Sequence, residues 1–173
     1  MSTLPPMPRT LKSGLVLSLV FFAVLVLINQ TLHTDAAPRG LFSLQMAATA
    51  EHASLVIASW GESGLFWARL LLWLDLGFVA VYLSTLLILC RYLLLDRPGV
   101  RERQIGTFVK VLFATAGASQ VVESLLLLSN LHSPSDAIAL TATVLSLLKF
   151  TCLLVGAAGL VVVRAARRRP LNG

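Results

Sequence analysis

Four stretches of this chain run nearly free of charge, and a fifth follows a different rhythm. Residues 14–32, 65–95, 105–131 and 137–163 are apolar throughout or carry only a few polar interruptions. A helix needs about 20 apolar residues to cross a hydrocarbon layer, and each stretch meets that length or comes close to it. Between the first two, residues 41–60 repeat at threes and fours: Phe42, Met46, Ala50, Ala53, Ile57 and Trp60 make one apolar face. Gln45, His52 and Ser59 lie on its flank and Glu51 lies opposite. This pattern predicts an amphipathic helix lying at the membrane surface or capping the bundle.

The punctuation agrees with that division. "GESG" at 61–64 ends the amphipathic stretch, "DRPGVRER" at 96–103 holds a Pro-Gly turn, and "HSPSD" at 132–136 is a short turn in which Ser135 is placed to cap the next helix. The 65–95 stretch is longer than a bilayer needs, so it should tilt or project. The expected fold is all-α: a polytopic membrane four-helix bundle with an additional extracytoplasmic amphipathic helix between spans one and two, forming one membrane domain over 1–173. Composition points the same way. The chain is 57% hydrophobic and 13% charged, where a soluble domain carries about a quarter of its residues as charges.

Charge adds an orientation. The formal net charge is +6, and the basic residues sit at the ends of the apolar runs rather than in a patch, so no nucleic-acid partner is expected and membrane lipids are. Arg9 and Lys12, then Arg91, Arg97, Arg101, Arg103 and Lys110, then Arg164 and Arg167 to Arg169 all fall on one side. The other side has Arg39 and Arg69 against Asp35, Glu51, Glu62 and Asp136. The excess of basic residues places both termini in the cytoplasm and the amphipathic helix outside. The first run resembles a signal peptide in its basic start, but it is long and "HTDAAPRG" offers no A-x-A cleavage site, so it is read as a retained span. Cys90 and Cys152 fall at different depths, which argues against a disulfide. No zinc spacing appears, and no metal or cofactor is expected.

Three ionisable residues stand where a membrane helix ordinarily has none: Asp75, Glu123 and Lys149. Counted at 1.5 Å per residue, all three fall roughly 12–18 Å below the outer boundary, on three different spans. A lone charge at such depth costs about 2.5–3.5 kcal/mol on insertion scales, so the three should face inward and meet. Polar neighbours share their faces: Tyr82 with Asp75, Gln120 and Asn130 with Glu123, Thr141 and Ser146 with Lys149. Two carboxylates and one ammonium leave a net charge of −1, which asks for a retained proton, a second cation or an external cationic or polar ligand. Arg69 is the nearest further cation but lies about 120° around the helix from Asp75, so it would have to snorkel or serve the headgroup region. His52 on the amphipathic helix could hang over the mouth of the bundle. Trp60 and Trp67 fit an interfacial belt.

Candidate ligand-binding residues are therefore Asp75, Tyr82, Gln120, Glu123 and Lys149, with His52 and Arg69 at the rim. The cluster suits either a structural lock or a site for a lipid or amphiphile. "GAAG" at 156–159, and Ala114 with Gly117 and Ala118, permit close helix contact within the chain or with other integral membrane subunits. An accessory or structural subunit of a membrane complex is thus one expectation and an amphiphile-binding bundle another. A third is a membrane-embedded enzyme working on a lipid in the outer leaflet, with Asp75 and Glu123 as acid and base and Lys149 stabilising negative charge or holding a phosphate. No activated nucleophile or complete catalytic signature accompanies it.

The succession "HASLVIASWG" (52–61), Trp73–Tyr82, "VVESLLLL" (121–128) and "LLKF" (147–150) resembles small four-span bacterial integral membrane proteins. The resemblance covers most of residues 41–155. It implies a four-helix fold in a bacterial inner membrane and brings no established activity. In the resembling pattern Asn commonly follows the glutamate; here Ser124 stands there, so less polar work is expected of that position.

Overall fold

The computed structural model describes residues 6–95 and 100–166. Among them there is no strand, and five helices follow one another: α1 (Arg9–Gln30), α2 (Leu41–Gln45), α3 (Ala50–Leu93), α4 (Val100–Asn130) and α5 (Asp136–Ala166). All but α2 are long and apolar enough to span a membrane, which makes this a multi-pass membrane protein. The Pro98-Gly99 turn and the Arg167–Arg169 cluster lie outside the described residues.

The four long helices are not equivalent. The apolar stretch of helix α4 is the least hydrophobic of the four and the most buried. The helix with the most polar side chains occupies the middle, because only there can those side chains find partners instead of lipid. Its closest neighbour is α5. Gly156 and Gly159 make that approach possible: a methyl group at Gly156 would stand 2.4 Å from Phe113 Cε1, and one at Gly159 would stand 2.4 Å from Val109 Cγ2. Helix α3 packs on the other side of α4, and α1 makes its main contact with α3. The rings of Phe21 and Phe22 meet Phe78 there at centroid distances of 6.4 and 6.5 Å. No comparable contact joins α1 to α5.

The 41–60 segment differs from the single amphipathic helix that its spacing predicts. Helix α2 stops at Gln45, Ala48 takes a positive φ of 58°, and α3 begins at Ala50 with Thr49 Oγ1 accepting the His52 N–H at 3.3 Å. The break is held from α5, where Thr143 Oγ1 donates to the Gln45 carbonyl at 2.9 Å and accepts the Ala48 N–H at 3.2 Å. Asp136 Oδ1 accepts the Ala50 N–H at 2.6 Å, placing a carboxylate at the amino end of α3. Because the helical phase restarts after the break, the buried positions are Leu41, Leu44, Ala47, Ala53, Val56 and Trp60. His52 and Ser59, seven residues apart on α3, still share a flank, and Gln45, on α2, is cut off from it by the break.

Together these residues pack on Leu71, Leu72, Leu127, Leu131 and Ala142 and close one end of the bundle. Trp60 belongs to this core and not to an interfacial belt: it is 6% exposed and donates its indole N–H to the Leu32 carbonyl at 2.8 Å. Trp67 and Trp73 remain exposed. At Gly61 the backbone reaches φ 59°, ψ −170°, a conformation essentially confined to glycine. This is how "GESG" acts: the non-helical Gly61 ends the helix that begins at Ala50, and the following span continues from it across a kink within α3. The α1–α2 connection is fastened by Asn29, whose Nδ2 donates to the Arg39 carbonyl at 3.2 Å while Oδ1 accepts the Leu41 N–H at 2.8 Å.

Candidate functional site: a carboxylate network and a lateral cleft

Asp75, Glu123 and Lys149 do converge in the bundle, but in a different pairing from a shared triad. Lys149 Nζ donates to Glu123 Oε2 at 2.6 Å, and Ser146 Oγ donates to Glu123 Oε1. Glu123 is fully buried and Lys149 nearly so. This joins α4 to α5 with both glutamate oxygens occupied. An Asp75–Lys149 ion pair is not formed.

Asp75 is served by neutral donors from α4. Gln120 Nε2 donates to Oδ1 at 2.6 Å and Ser124 Oγ donates to Oδ2 at 2.8 Å. The Tyr82 hydroxyl, two turns along α3, donates to Gln120 Oε1 at 2.9 Å. That bond sets the sense of the amide: with its oxygen committed to Tyr82, its N–H group faces the carboxylate. Gln120 and Ser124 lie four residues apart on α4, on one face, so they can grip both oxygens of a carboxylate presented by α3. Consecutive positions on a helix diverge by about 100°, and Glu123 accordingly turns to α5 while Ser124 turns to α3.

The gap between α1 and α5 is a lateral cleft of about 510 Å³. Phe22 and Leu25 of α1 form one wall, and Phe150 and Leu153 of α5 the other. Phe42 and Gln45 of α2 close one end, and Phe78 of α3 lies on the floor. The lining is overwhelmingly apolar, yet Asp75, Tyr82, Gln120 and Lys149 all reach it. Its size lies in the range of about 300–1,000 Å³ usual for ligand sites, as does its pattern of an apolar surface with a few convergent polar groups. On α1 the lining runs from Leu15 to Asn29, about 21 Å of helix at 1.5 Å per residue. The cleft is therefore elongated along the bundle axis.

Of the residues singled out from sequence, Asp75, Tyr82, Gln120 and Lys149 come together at this cleft. Glu123 supports it from behind Lys149 and does not line it. His52 is exposed on the first turn of α3 and lines no part of the cleft. Arg69 is also exposed, with one guanidinium nitrogen 3.3 Å from His132 Nδ1, and does not reach Asp75. Ser124 carries more than its departure from the resembling pattern suggests, since it holds one of the two Asp75 oxygens. A polar residue four positions from Gln120 was the signal for that role. The walls from α1 and α2 had no such signal, because Phe22, Leu25 and Phe42 look like any other membrane-facing residues.

Asn130 Nδ2, fully buried, has no hydrogen-bond partner among the described residues, while its Oδ1 accepts the Ser135 N–H at 3.1 Å. The turn into α5 is thus held by Asn130 acting on Ser135. Cys90 and Cys152 are both buried free thiols.

No protein-family model, curated protein or solved structure matches this chain. Fold and site together define a class: a multi-pass helical membrane protein with a carboxylate network beside a laterally open apolar cleft.

Proposed function

We propose that this protein binds an amphiphile in the cleft between α1 and α5, with the apolar part of the ligand along α1 and its polar group at Asp75, Gln120 and Lys149. One observation carries the reading: the cleft of about 510 Å³ is mostly apolar, a carboxylate and an ammonium stand on its surface beside Tyr82 and Gln120, and its other polar lining residues (Ser18, Asn29, Gln45 and Thr85) are uncharged. In a bundle whose charges served packing alone, the charges would be closed off from any such space. The excess of basic residues at one end supports a setting in a bacterial inner membrane with both termini cytoplasmic. The end capped by α2 then faces outward, and the amphiphile enters sideways from the lipid.

The other two readings draw less from the geometry. Acid/base chemistry by two carboxyls requires both at the substrate, and Glu123 is screened behind Lys149 and Ser146. Docking onto another membrane subunit would use the small-residue faces, of which Gly156 and Gly159 are taken up by Phe113 and Val109 of the same chain while Ala114, Ala118, Ala157 and Ala158 stay exposed.

The test is to purify the protein in lipid nanodiscs from its native membrane and identify bound small molecules by native mass spectrometry. Leu25→Trp, which narrows the cleft, should deplete the bound species, whereas Val16→Trp on the exposed face of α1 should not. Equal recovery from both variants, or no bound species in either, would sink the proposal.

A further inference from the structure

Resting on the amphiphile-binding reading, we infer that the ligand class is a long-chain amphiphile with a single cationic headgroup, a protonated amine or an ammonium, seated on Asp75. Lys149 is already matched by Glu123 at 2.6 Å, so that pair contributes no net charge. Asp75 is left with neutral partners only, Gln120 Nε2 on one oxygen and Ser124 Oγ on the other. Both carboxyl oxygens are thus engaged, and neither partner brings a charge. A carboxylate in an apolar cleft without a counter-charge is costly, and the described residues supply none in contact with it: Arg69 is turned to His132.

The space supplies the rest of the description. Each carboxylate oxygen can accept more than one hydrogen bond, so Asp75 retains capacity toward the cleft that it lines. Phe78 packs against Tyr82 at a centroid distance of 5.0 Å and lines the same floor. An aromatic face next to a carboxylate is a suitable seat for an ammonium group. The elongated wall from Leu15 to Asn29 suits one extended hydrocarbon chain. The Lys149 ammonium, with one hydrogen bond among the described residues, disfavours a second cationic group and can donate to a hydroxyl or carbonyl on the ligand.

The experiment compares hexadecylamine, hexadecanol and hexadecanoic acid as probes of one chain length, with the protein in nanodiscs of phosphatidylcholine so that the lipid itself has no net charge. Binding is read by native mass spectrometry and by displacement of a fluorescent alkyl probe. The amine should bind about tenfold to a hundredfold more tightly than the alcohol, the range of one hydrogen bond to a charged group. Asp75→Asn should remove the preference for the amine over the alcohol. Equal binding of amine and alcohol to the unaltered protein would overturn the cationic assignment and leave the amphiphile site standing. Preference for the acid would overturn it in favour of recognition by Lys149. Failure of all three probes to bind or displace would overturn the amphiphile reading with it. The ranking on the unaltered protein decides the matter even if the Asp75 variant does not fold.

Discussion

Glu123 and Ser124 are consecutive residues of α4 that serve different helices: Glu123 accepts from Lys149 and Ser146 of α5, and Ser124 donates to Asp75 of α3. The central helix thus ties its two neighbours by separate networks through adjacent positions. Loss of one network should leave the other standing, and the two should differ in what their loss costs.

The Glu123–Lys149 pair is buried with nothing to replace either partner. Lys149→Met leaves an uncompensated carboxylate and should destabilise the bundle by about 3–5 kcal/mol, the usual cost of breaking a buried pair from one side. Combining it with Glu123→Leu should recover most of the loss, because an apolar pair of similar volume carries no desolvation penalty. Thermal unfolding in detergent checks both. A double variant as unstable as the single one would show that the pair contributes more than its own charge balance.

In the Asp75 network Gln120 is the shared member. Gln120→Leu breaks the bonds to Tyr82 and Asp75 together and should cost about 1–3 kcal/mol, whereas Tyr82→Phe breaks one neutral bond and should cost about 0.5–1.5 kcal/mol. The order of the two unfolding midpoints is the expected result. A larger effect from Tyr82→Phe would mean that its hydroxyl does something other than orient the amide.

Two glycines of α5 should be intolerant for a steric reason. Gly156→Ala puts a methyl group 2.4 Å from Phe113 Cε1, and relieving that overlap requires the ring or the helix to move, at a cost of about 1–3 kcal/mol. Phe113→Leu in the same chain should offset part of it. Ala157→Leu, at an exposed position, should leave the unfolding temperature nearly unchanged. The contrast separates packing within the chain from a general preference for small residues.

Gly61 has open space around its α-carbon, with nothing within 4 Å of an added methyl group, so its requirement is one of backbone conformation alone. Gly61→Ala should cost about 1–3 kcal/mol, or straighten α3 and lift the 50–60 segment off the core. Gly77→Ala, whose new methyl group would make an ordinary 3.7 Å contact with Phe21, is the control and should be nearly neutral. Unfolding temperatures, with accessibility of an engineered Ser54→Cys to report the cap, distinguish the outcomes.

Much of this architecture could be read from the one-dimensional pattern, for a definite reason. In lipid every backbone hydrogen bond must close within its own helix, so runs of apolar residues translate directly into spans and their interruptions into turns. The cost of charge at depth likewise made Asp75, Glu123 and Lys149 conspicuous and required that they face one another. The amphipathic segment was legible in kind and misleading in phase, because its periodicity runs on paper through Ala48, where the chain adopts a positive φ under the hold of Thr143, a residue 95 positions away.

Tertiary structure decided which carboxylate received the lysine, and so which remained open to the cleft. Helix rotation about its axis sets that choice. Lipid-facing and cleft-facing apolar residues have the same composition, so rotation leaves too faint a mark in the pattern to read. It also decided that α1 packs on α3 and stays apart from α5, which creates the cleft. Contacts between helices in a membrane come from shape, such as Phe113 fitting the notch at Gly156, and not from withdrawal from water. Shape complementarity is a property of assembled surfaces, and it exists only once the helices are side by side.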